Sequence, residues 1–338
     1  RTRDGFFGLA VVFSFSALYL LSLLPRMLAG PFHGPERSAF TWSEPEAGSD
    51  LSRIRCRAEE TEAGWRLSGD KIFISGGDLD MSDDILHLVL ARTGAAEDGV
   101  KGLSLFLTAR SMAGPAIRIM RIEEKLGLHA SPTAALTFGG KDGCIGYLCG
   151  QENQGLAHMF QMMNSARINT GVSGMTMASS AYLNALAYTR ERRQGLDLSR
   201  RKRGAIPIIE HPDVRRMLLW MKAVVDGMRS MIYTGAFWSD LAHELPQGGE
   251  RTHYGHLVDF MTPIIKAFLT ETGFESANLG LQCFGGHGYI NEWGVEQNVR
   301  DARISMLYEG TTGIQALDLL GRKVLGTRGK ALAPVTDF

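Results

Sequence analysis

The stretch Trp65-Arg66-Leu67-Ser68-Gly69-Asp70-Lys71-Ile72-Phe73-Ile74-Ser75-Gly76-Gly77 sets the character of the first half of the chain. Aromatic and β-branched residues, which suit a pleated, half-buried surface, stand on both sides of Gly69-Asp70. That dipeptide between two short apolar runs predicts a hairpin turn. Further on, Ile85-Leu86-His87-Leu88-Val89-Leu90-Ala91 is an apolar run of strand length. Leu103, Leu105 and Leu107 alternate with Ser104, Phe106 and Thr108, the pattern of a strand with unequal faces. Glycines punctuate the region at turn-like intervals. Residues 36–150 therefore read as a small β-barrel or sandwich.

The period changes at about Gln151. Val214, Met217, Leu218, Met221, Val224, Val225, Met228 and Ile232 recur at helical spacing, as do Leu257, Phe260, Met261, Ile264, Ile265 and Phe268. Stripes this wide belong to helices buried on more than one side. Ser165 to Tyr188 is rich in Ala, Gly, Ser and Met, which permits close helix contact. The methionines read as adaptable core filler. Residues 151–338 are thus expected to form a C-terminal helical bundle, and the fold class is α+β: a β-domain over 36–150, then the bundle. Architecture alone does not name a function.

The chain has 338 residues, with 36 Lys plus Arg balancing 36 Asp plus Glu. A neutral chain has no broad field with which to hold nucleic acid or an anionic membrane. Cys56, Cys144, Cys149 and Cys283 form no C-x-x-C pair and have no His at zinc-ligand spacing, so no metal site is expected and the thiols read as reduced, as in a cytoplasmic protein. Residues 1–35 form an apolar head, uncharged from Gly5 to Pro25. Its length matches a membrane span, its leading Arg1 and Arg3 mimic a signal peptide, and a buried helix or the cut edge of a missing domain reads equally well.

Tyr308-Glu309-Gly310-Thr311-Thr312-Gly313-Ile314-Gln315 is the strongest local signal for chemistry. On its own it is a helix start, with a Thr cap and an acid near the positive helix end. Upstream stand Gln282-Cys283-Phe284-Gly285-Gly286-His287-Gly288-Tyr289 and Val299-Arg300-Asp301-Ala302-Arg303-Ile304, where a glycine pair lets backbone approach a phosphate or sugar. Ser43-Glu44-Pro45-Glu46-Ala47-Gly48-Ser49-Asp50 and the Gly69–Gly77 stretch complete the set. Each has a plain alternative as turn chemistry. His87, His129, His211 and His287 lack ligand spacing and read as structural. The basic run Arg200 to Arg203 reads as a solvated loop.

In this order, together with Glu191-Arg192-Arg193-Gln194-Gly195, these motifs resemble the acyl-CoA dehydrogenase family over roughly Leu24 to Leu325. The resemblance is nearest to the branch typified by 3-methylmercaptopropionyl-CoA dehydrogenases. It implies an FAD enzyme that oxidises the Cα–Cβ bond of an acyl-CoA thioester and passes electrons to electron-transfer flavoprotein. Glu309 matches the base that takes the α-proton, with its backbone N–H polarising the thioester carbonyl. Ser43 and Ser75 match hydroxyls that bond the isoalloxazine. Phe73 matches an aromatic, usually Trp, beside the flavin, and keeps the ring without the indole N–H. Gly48 and Ser49 match a loop near the pyrophosphate and the thioester chain.

The resemblance also carries Arg192 and Gln194 to the FAD of a neighbouring subunit, which implies a homodimer or homotetramer. Gln282, Gly285 and Gly286 match the adenosine side, and Thr311 a hydroxyl on the dinucleotide. Arg167 matches an arginine near the substrate channel, with an ion pair inside the bundle as the alternative. Tyr308 and Gly310 flank the base as substrate contacts. The family opens with a helical domain of which residues 1–35 would be only a remnant, so a fragment is expected. An oxidase using oxygen, and a truncated, non-catalytic flavin-binding homologue, are the competing expectations.

Overall fold

The structure, a computed structural model, describes residues 37–338 apart from 81, 83, 141, 142, 200, 201, 337 and 338. The apolar head, with the expectations attached to residues 5–24, lies outside the described residues. The chain divides into two compact units between Ser165 and Ala166.

The first unit is built on β1 (Arg37–Thr41), β2 (Arg57–Thr61), β3 (Gly64–Ser75), β4 (Ile85–Arg92), β5 (Leu103–Ala109), β6 (Ile117–Ile122), β7 (Thr133–Phe138) and β8 (Cys144–Cys149). Ladders run β2–β3–β8–β5–β4, and the Arg57–Arg92 pair returns β4 to β2, closing a small barrel. Closure removes the sheet edges that would otherwise invite pairing with other chains. β1 lies parallel to the free part of β4, and β7 and β6 extend from the second half of β3. The core between them holds Leu67, Ile74, Leu90, Leu103, Phe106, Leu136 and Phe138, all buried.

Two expectations are corrected here. The chain does not turn at Gly69-Asp70: β3 runs straight through it, and the hairpin turn falls earlier, between Thr61 and Gly64. Gly69 serves a different end. Its φ is +142°, and a Cβ there would stand 2.7 Å from the Cα of Cys56, so only glycine lets the two backbones meet. Nor are the faces of β5 unequal, since all seven residues are buried. Its two hydroxyls are satisfied inside: Ser104 Oγ lies 2.8 Å from Thr93 Oγ1 and accepts from Asn153 N, and Thr108 Oγ1 donates to Ile145 O.

Helix α1 (Gly155–Glu191) starts in the first unit and continues into the second. A short hairpin follows, β9 (Arg193–Leu196) with β10 (Ala205–Pro207), then α2 (Pro212–Glu244) and α3 (Gly249–Phe284). Most of the striped positions read from the sequence are buried, namely Met217, Leu218, Met221, Val225, Met228 and Ile232 on α2, and Leu257, Phe260 and Ile265 on α3; Val214, Val224, Met261 and Ile264 are partly buried, and Phe268 is exposed, contrary to the stripe. The small residues of α1 do what small residues allow. A Cβ on Gly273 would stand 2.6 Å from the carbonyl oxygen of Gly174, so α1 and α3 touch backbone to backbone. The unit ends with α4 (Val295–Ala302), α5 (Thr312–Ala316) and a π-helical segment, Leu317–Leu325. The order of a β-barrel and then helices bears out the α+β reading.

No helix among the described residues is long and apolar enough to cross a membrane. All four cysteines are free and buried. Burial pushes the Cys56, Cys149 and Cys283 thiols up to about 11, which makes them inert.

Candidate active site

In the first unit, three candidates lie where β1 meets β3. Ser43 follows β1 and is partly buried; its carbonyl accepts the N–H of Ile72 at 2.9 Å. Phe73 is 63 % exposed, although its neighbours Lys71 and Ile74 are buried. Its φ of +59° falls where the β3–β7 register slips between Lys71 and Ile74. A bulky residue in the left-handed region costs of order 1–3 kcal/mol, and a bulge re-aims its side chain. The bulge thus turns an aromatic ring outward. Ser75, at the strand's end, is exposed. Neither the Ser43 nor the Ser75 hydroxyl bonds another described residue.

The loop carrying Gly48 and Ser49 begins with a tight turn in which Glu44 and Ala47 exchange backbone bonds of 2.9 and 3.1 Å around Pro45-Glu46. Gly48 and Ser49 are exposed, and a Cβ on Gly48 would meet nothing within 4 Å. Beneath them lies a feature that motif reading missed. Lys71 Nζ is buried, 2.9 Å from Glu44 Oε1, and donates also to the carbonyls of Trp42 and Leu90. Glu44 in turn accepts the N–H groups of Arg55 and Cys56. Arg92 is also buried and donates to the carbonyls of Ser52, Ile54, Ala95 and Gly99, tying the loop ends together. The sign of such groups is legible: a Lys inside the apolar run Lys71–Ile74 must find partners if it folds inward.

In the second unit, Tyr308 to Thr311 form the link into α5. Thr311 is the N-cap, its Oγ1 accepting from Ile314 N, as its residue type predicts. Glu309 stands two residues earlier with φ +55°, followed by Gly310 at +86°. The residue is partly exposed, but its Oε2 is sealed from solvent with no hydrogen-bond partner among the described residues. Burial raises its pKa above the usual carboxylate range, and the charges of Arg167 and Lys266 partly offset that rise. Burial also raises the Tyr308 phenol.

Arg167 realises the ion-pair alternative, with Nη1 2.9 Å from Asp318 Oδ2 and both side chains buried. It also acts on the Glu309 carboxylate, so it belongs to the Glu309 cluster as well. Arg192 and Gln194 are exposed at the β9 hairpin, whose Gln194 carbonyl contacts the His211 ring at 2.8 Å. Gln282, Gly285 and Gly286 are exposed at the end of α3. Gly285 has φ +61° and caps the helix through its N–H to the Gln282 carbonyl. No Cβ contact lies within 4 Å of Gly285 or Gly286. Behind them Tyr188 stacks on Phe284 and donates to or accepts from His287 Nδ1 at 2.9 Å. No cluster of potential metal ligands occurs among the described residues.

The first unit thus carries an outward aromatic ring, two hydroxyls without a partner among the described residues and open backbone at Gly48; the second carries open glycine backbone at the end of α3 and a buried carboxylate oxygen of raised basicity. The acyl-CoA dehydrogenase middle-domain profile matches residues 39–140, and the C-terminal-domain profile matches residues 153–325. This chain belongs to the acyl-CoA dehydrogenase family. It is 44 % identical to 3-methylmercaptopropionyl-CoA dehydrogenase of Ruegeria pomeroyi, an alignment covering 98 % of this chain and 58 % of that protein. It is 37 % identical to the broad-specificity linear acyl-CoA dehydrogenase FadE5 of Mycobacterium tuberculosis, over 88 % of this chain and 52 % of the relative. The chain therefore spans little more than half the length of these curated relatives. Among solved structures, Caenorhabditis elegans ACDH-11 in complex with C11-CoA aligns with a TM-score of 0.75 at 25 % identity, covering 89 % of this chain and 49 % of that one.

Proteins of the family are FAD-dependent. The residues present fit that group: Phe73 offers a flat exposed ring, Ser43 and Ser75 offer hydroxyls with no partner among the described residues, and Gly48, Gly285 and Gly286 leave space for backbone approach.

Proposed function

We propose that this chain carries out FAD-dependent α,β-dehydrogenation of an acyl-CoA thioester, with Glu309 as the base. The observation that carries this reading is the buried, unbonded Oε2 of Glu309 on a backbone held at φ +55°. A carboxylate whose buried oxygen has no hydrogen-bond partner among the described residues is poised to take a proton, and positive φ in a residue that is not glycine is strain retained for a purpose. Glu309 accepts the α-proton. Its N–H donates to the thioester carbonyl, so charge developing on that oxygen is met by a fixed dipole. Tyr308, Gly310, Ser49 and Arg167 line the acyl thioester. Ser43, Ser75 and Phe73 hold the isoalloxazine, Gly48, Ser49 and Thr311 the phosphates, and Gln282, Gly285 and Gly286 the adenosine side. Arg192 and Gln194 reach the cofactor of a second copy in a homodimer or homotetramer. FAD, when bound, accepts the β-hydride, and electron-transfer flavoprotein takes the electrons on.

Short-chain thioesters, 3-methylmercaptopropionyl-CoA among them, are the substrates that the likeness to the Ruegeria relative supports. The test is anaerobic addition of such acyl-CoAs to the flavin-loaded protein. Bleaching of the flavin that vanishes in Glu309→Gln supports the reading. Bound flavin that no acyl-CoA bleaches overturns it.

A further inference from the structure

We propose that Lys266 and Gln315 are positioning residues for Glu309: together they clamp the carbonyls of the strained Glu309-Gly310 segment, with the Lys266 ammonium bonded to the residue that follows the base. The inference rests on the reading of Glu309 as the base.

Its geometry is local to the second unit. Lys266 sits on α3 in Pro263-Ile264-Ile265-Lys266-Ala267-Phe268 and is fully buried. A buried ammonium needs a strong reason, because desolvation costs several kcal/mol unless hydrogen bonds and opposite charge offset it. Lys266 finds a carbonyl, donating to Gly310 O at 2.6 Å. The same carbonyl accepts Gln315 Nε2 at 3.1 Å, and that Nε2 also donates to Glu309 O at 3.0 Å. Gln315 is itself buried, and it starts from the helix that Thr311 caps. Two donors from two helices therefore grip two successive carbonyls. This explains how a segment with φ of +55° and +86° persists. Without Cβ at 310 the grip is close: a methyl there would stand 2.8 Å from Gln315 Nε2.

The charges have a second effect. Glu309 feels Arg167 and Lys266 as its cationic neighbours, with Tyr308 beside it. Lys266 feels Glu309 and Glu271 as anions and Arg167 as a cation. Arg167 is already engaged by Asp318, which leaves Lys266 as the cation whose anionic neighbours are Glu309 and the exposed Glu271. Burial draws the Lys266 ammonium down to about 8. Losing the Lys266 charge would leave Glu309 with less compensation for burial and a higher pKa.

The experiment reads Glu309 directly. Carboxyl-13C glutamate is incorporated, the Glu309 signal is assigned by its loss in Glu309→Gln, and its titration midpoint is measured in substrate-free protein. Lys266→Met, Lys266→Gln and Lys266→Arg are compared, the second keeping a donor without the charge and the third keeping both. The expected result is a midpoint raised by about half a unit or more in Lys266→Met and Lys266→Gln and near the wild type in Lys266→Arg. The acid limb of kcat/KM should move with it. Gln315→Leu should lower kcat about tenfold without moving the midpoint. A Glu309 midpoint unchanged in folded Lys266→Gln overturns the proposal. If Glu309→Gln still bleaches, the base reading fails instead, and the titration still reports on Lys266.

Discussion

Lys71 and Glu44 form a buried ion pair of 2.9 Å that joins two segments 27 residues apart in the chain, one bearing Ser43 and the other Phe73 and Ser75. Its remaining valences are filled by the Trp42 and Leu90 carbonyls and by the Arg55 and Cys56 amides. Removing one partner strands a buried charge, which typically costs 3–5 kcal/mol. Lys71→Met should therefore destabilise the first unit by about that amount in chemical denaturation. Because Ser43 O holds Ile72 N, it should also weaken flavin retention before global unfolding, which gel filtration and absorbance would follow together.

Glu309→Gln should do two opposite things. Flavin bleaching by acyl-CoA is expected to fall at least about a thousandfold, since the amide cannot act as the proposed proton acceptor. Stability at neutral pH should rise. A carboxyl whose folded pKa is raised holds its proton longer folded than unfolded, so it destabilises the fold as pH climbs above 4.5, and a neutral amide escapes this. Thermal melts at pH 5 and pH 8 check the sign: the gain should be larger at pH 8.

Gly310→Ala meets two obstacles at once, a φ of +86° and a contact 2.8 Å from Gln315 Nε2. The left-handed region costs an alanine about 1–2 kcal/mol, and the amide must give way as well. The expected outcome is a modest loss of stability with a much larger loss of kcat, measured on the same flavin-loaded preparation.

His87 is expected to contribute to acid sensitivity. It is buried on β4 against Phe138, with Nδ1 unbonded among the described residues, and burial holds its pKa down near 4. The unfolded chain, near 6.5, binds the proton first. The contribution of this group to stability is therefore full above pH 6.5 and is lost as pH falls toward 4, by up to about 3 kcal/mol. His87→Leu should flatten that dependence in denaturation curves recorded between pH 4 and 7.

Much of this was legible in residue order. The helical stripes from Met217 to Ile232 and from Leu257 to Ile265 name the buried faces because period 3.6 is a property of the chain itself, while Phe268, the last of the second stripe, stands exposed. Thr311 reads as a cap for the same reason. What escaped depends on contacts between distant segments. Gly69 looks like a turn, yet its role is set by Cys56 lying against it. Lys266 looks like an interruption in an apolar helix until Gly310 O appears 44 residues away. Arg167 had two readings, and its pairing with Asp318, 151 residues away, realises the ion pair; the charge it also exerts on Glu309 could not be read from residue order.

Strand β3 works as a measuring rule. Its first half is pinned by β2 and β8, its second half by β7, and within that second half stand Gly69 against Cys56 and Lys71 against Glu44. From those fixed marks to Phe73 and Ser75 the distance is a count of residues. One residue added or removed there would send every side chain beyond it to the opposite face. Length variation in this part of the molecule should thus be confined to the loops, and β3 should accept changes of side chain far more readily than changes of length.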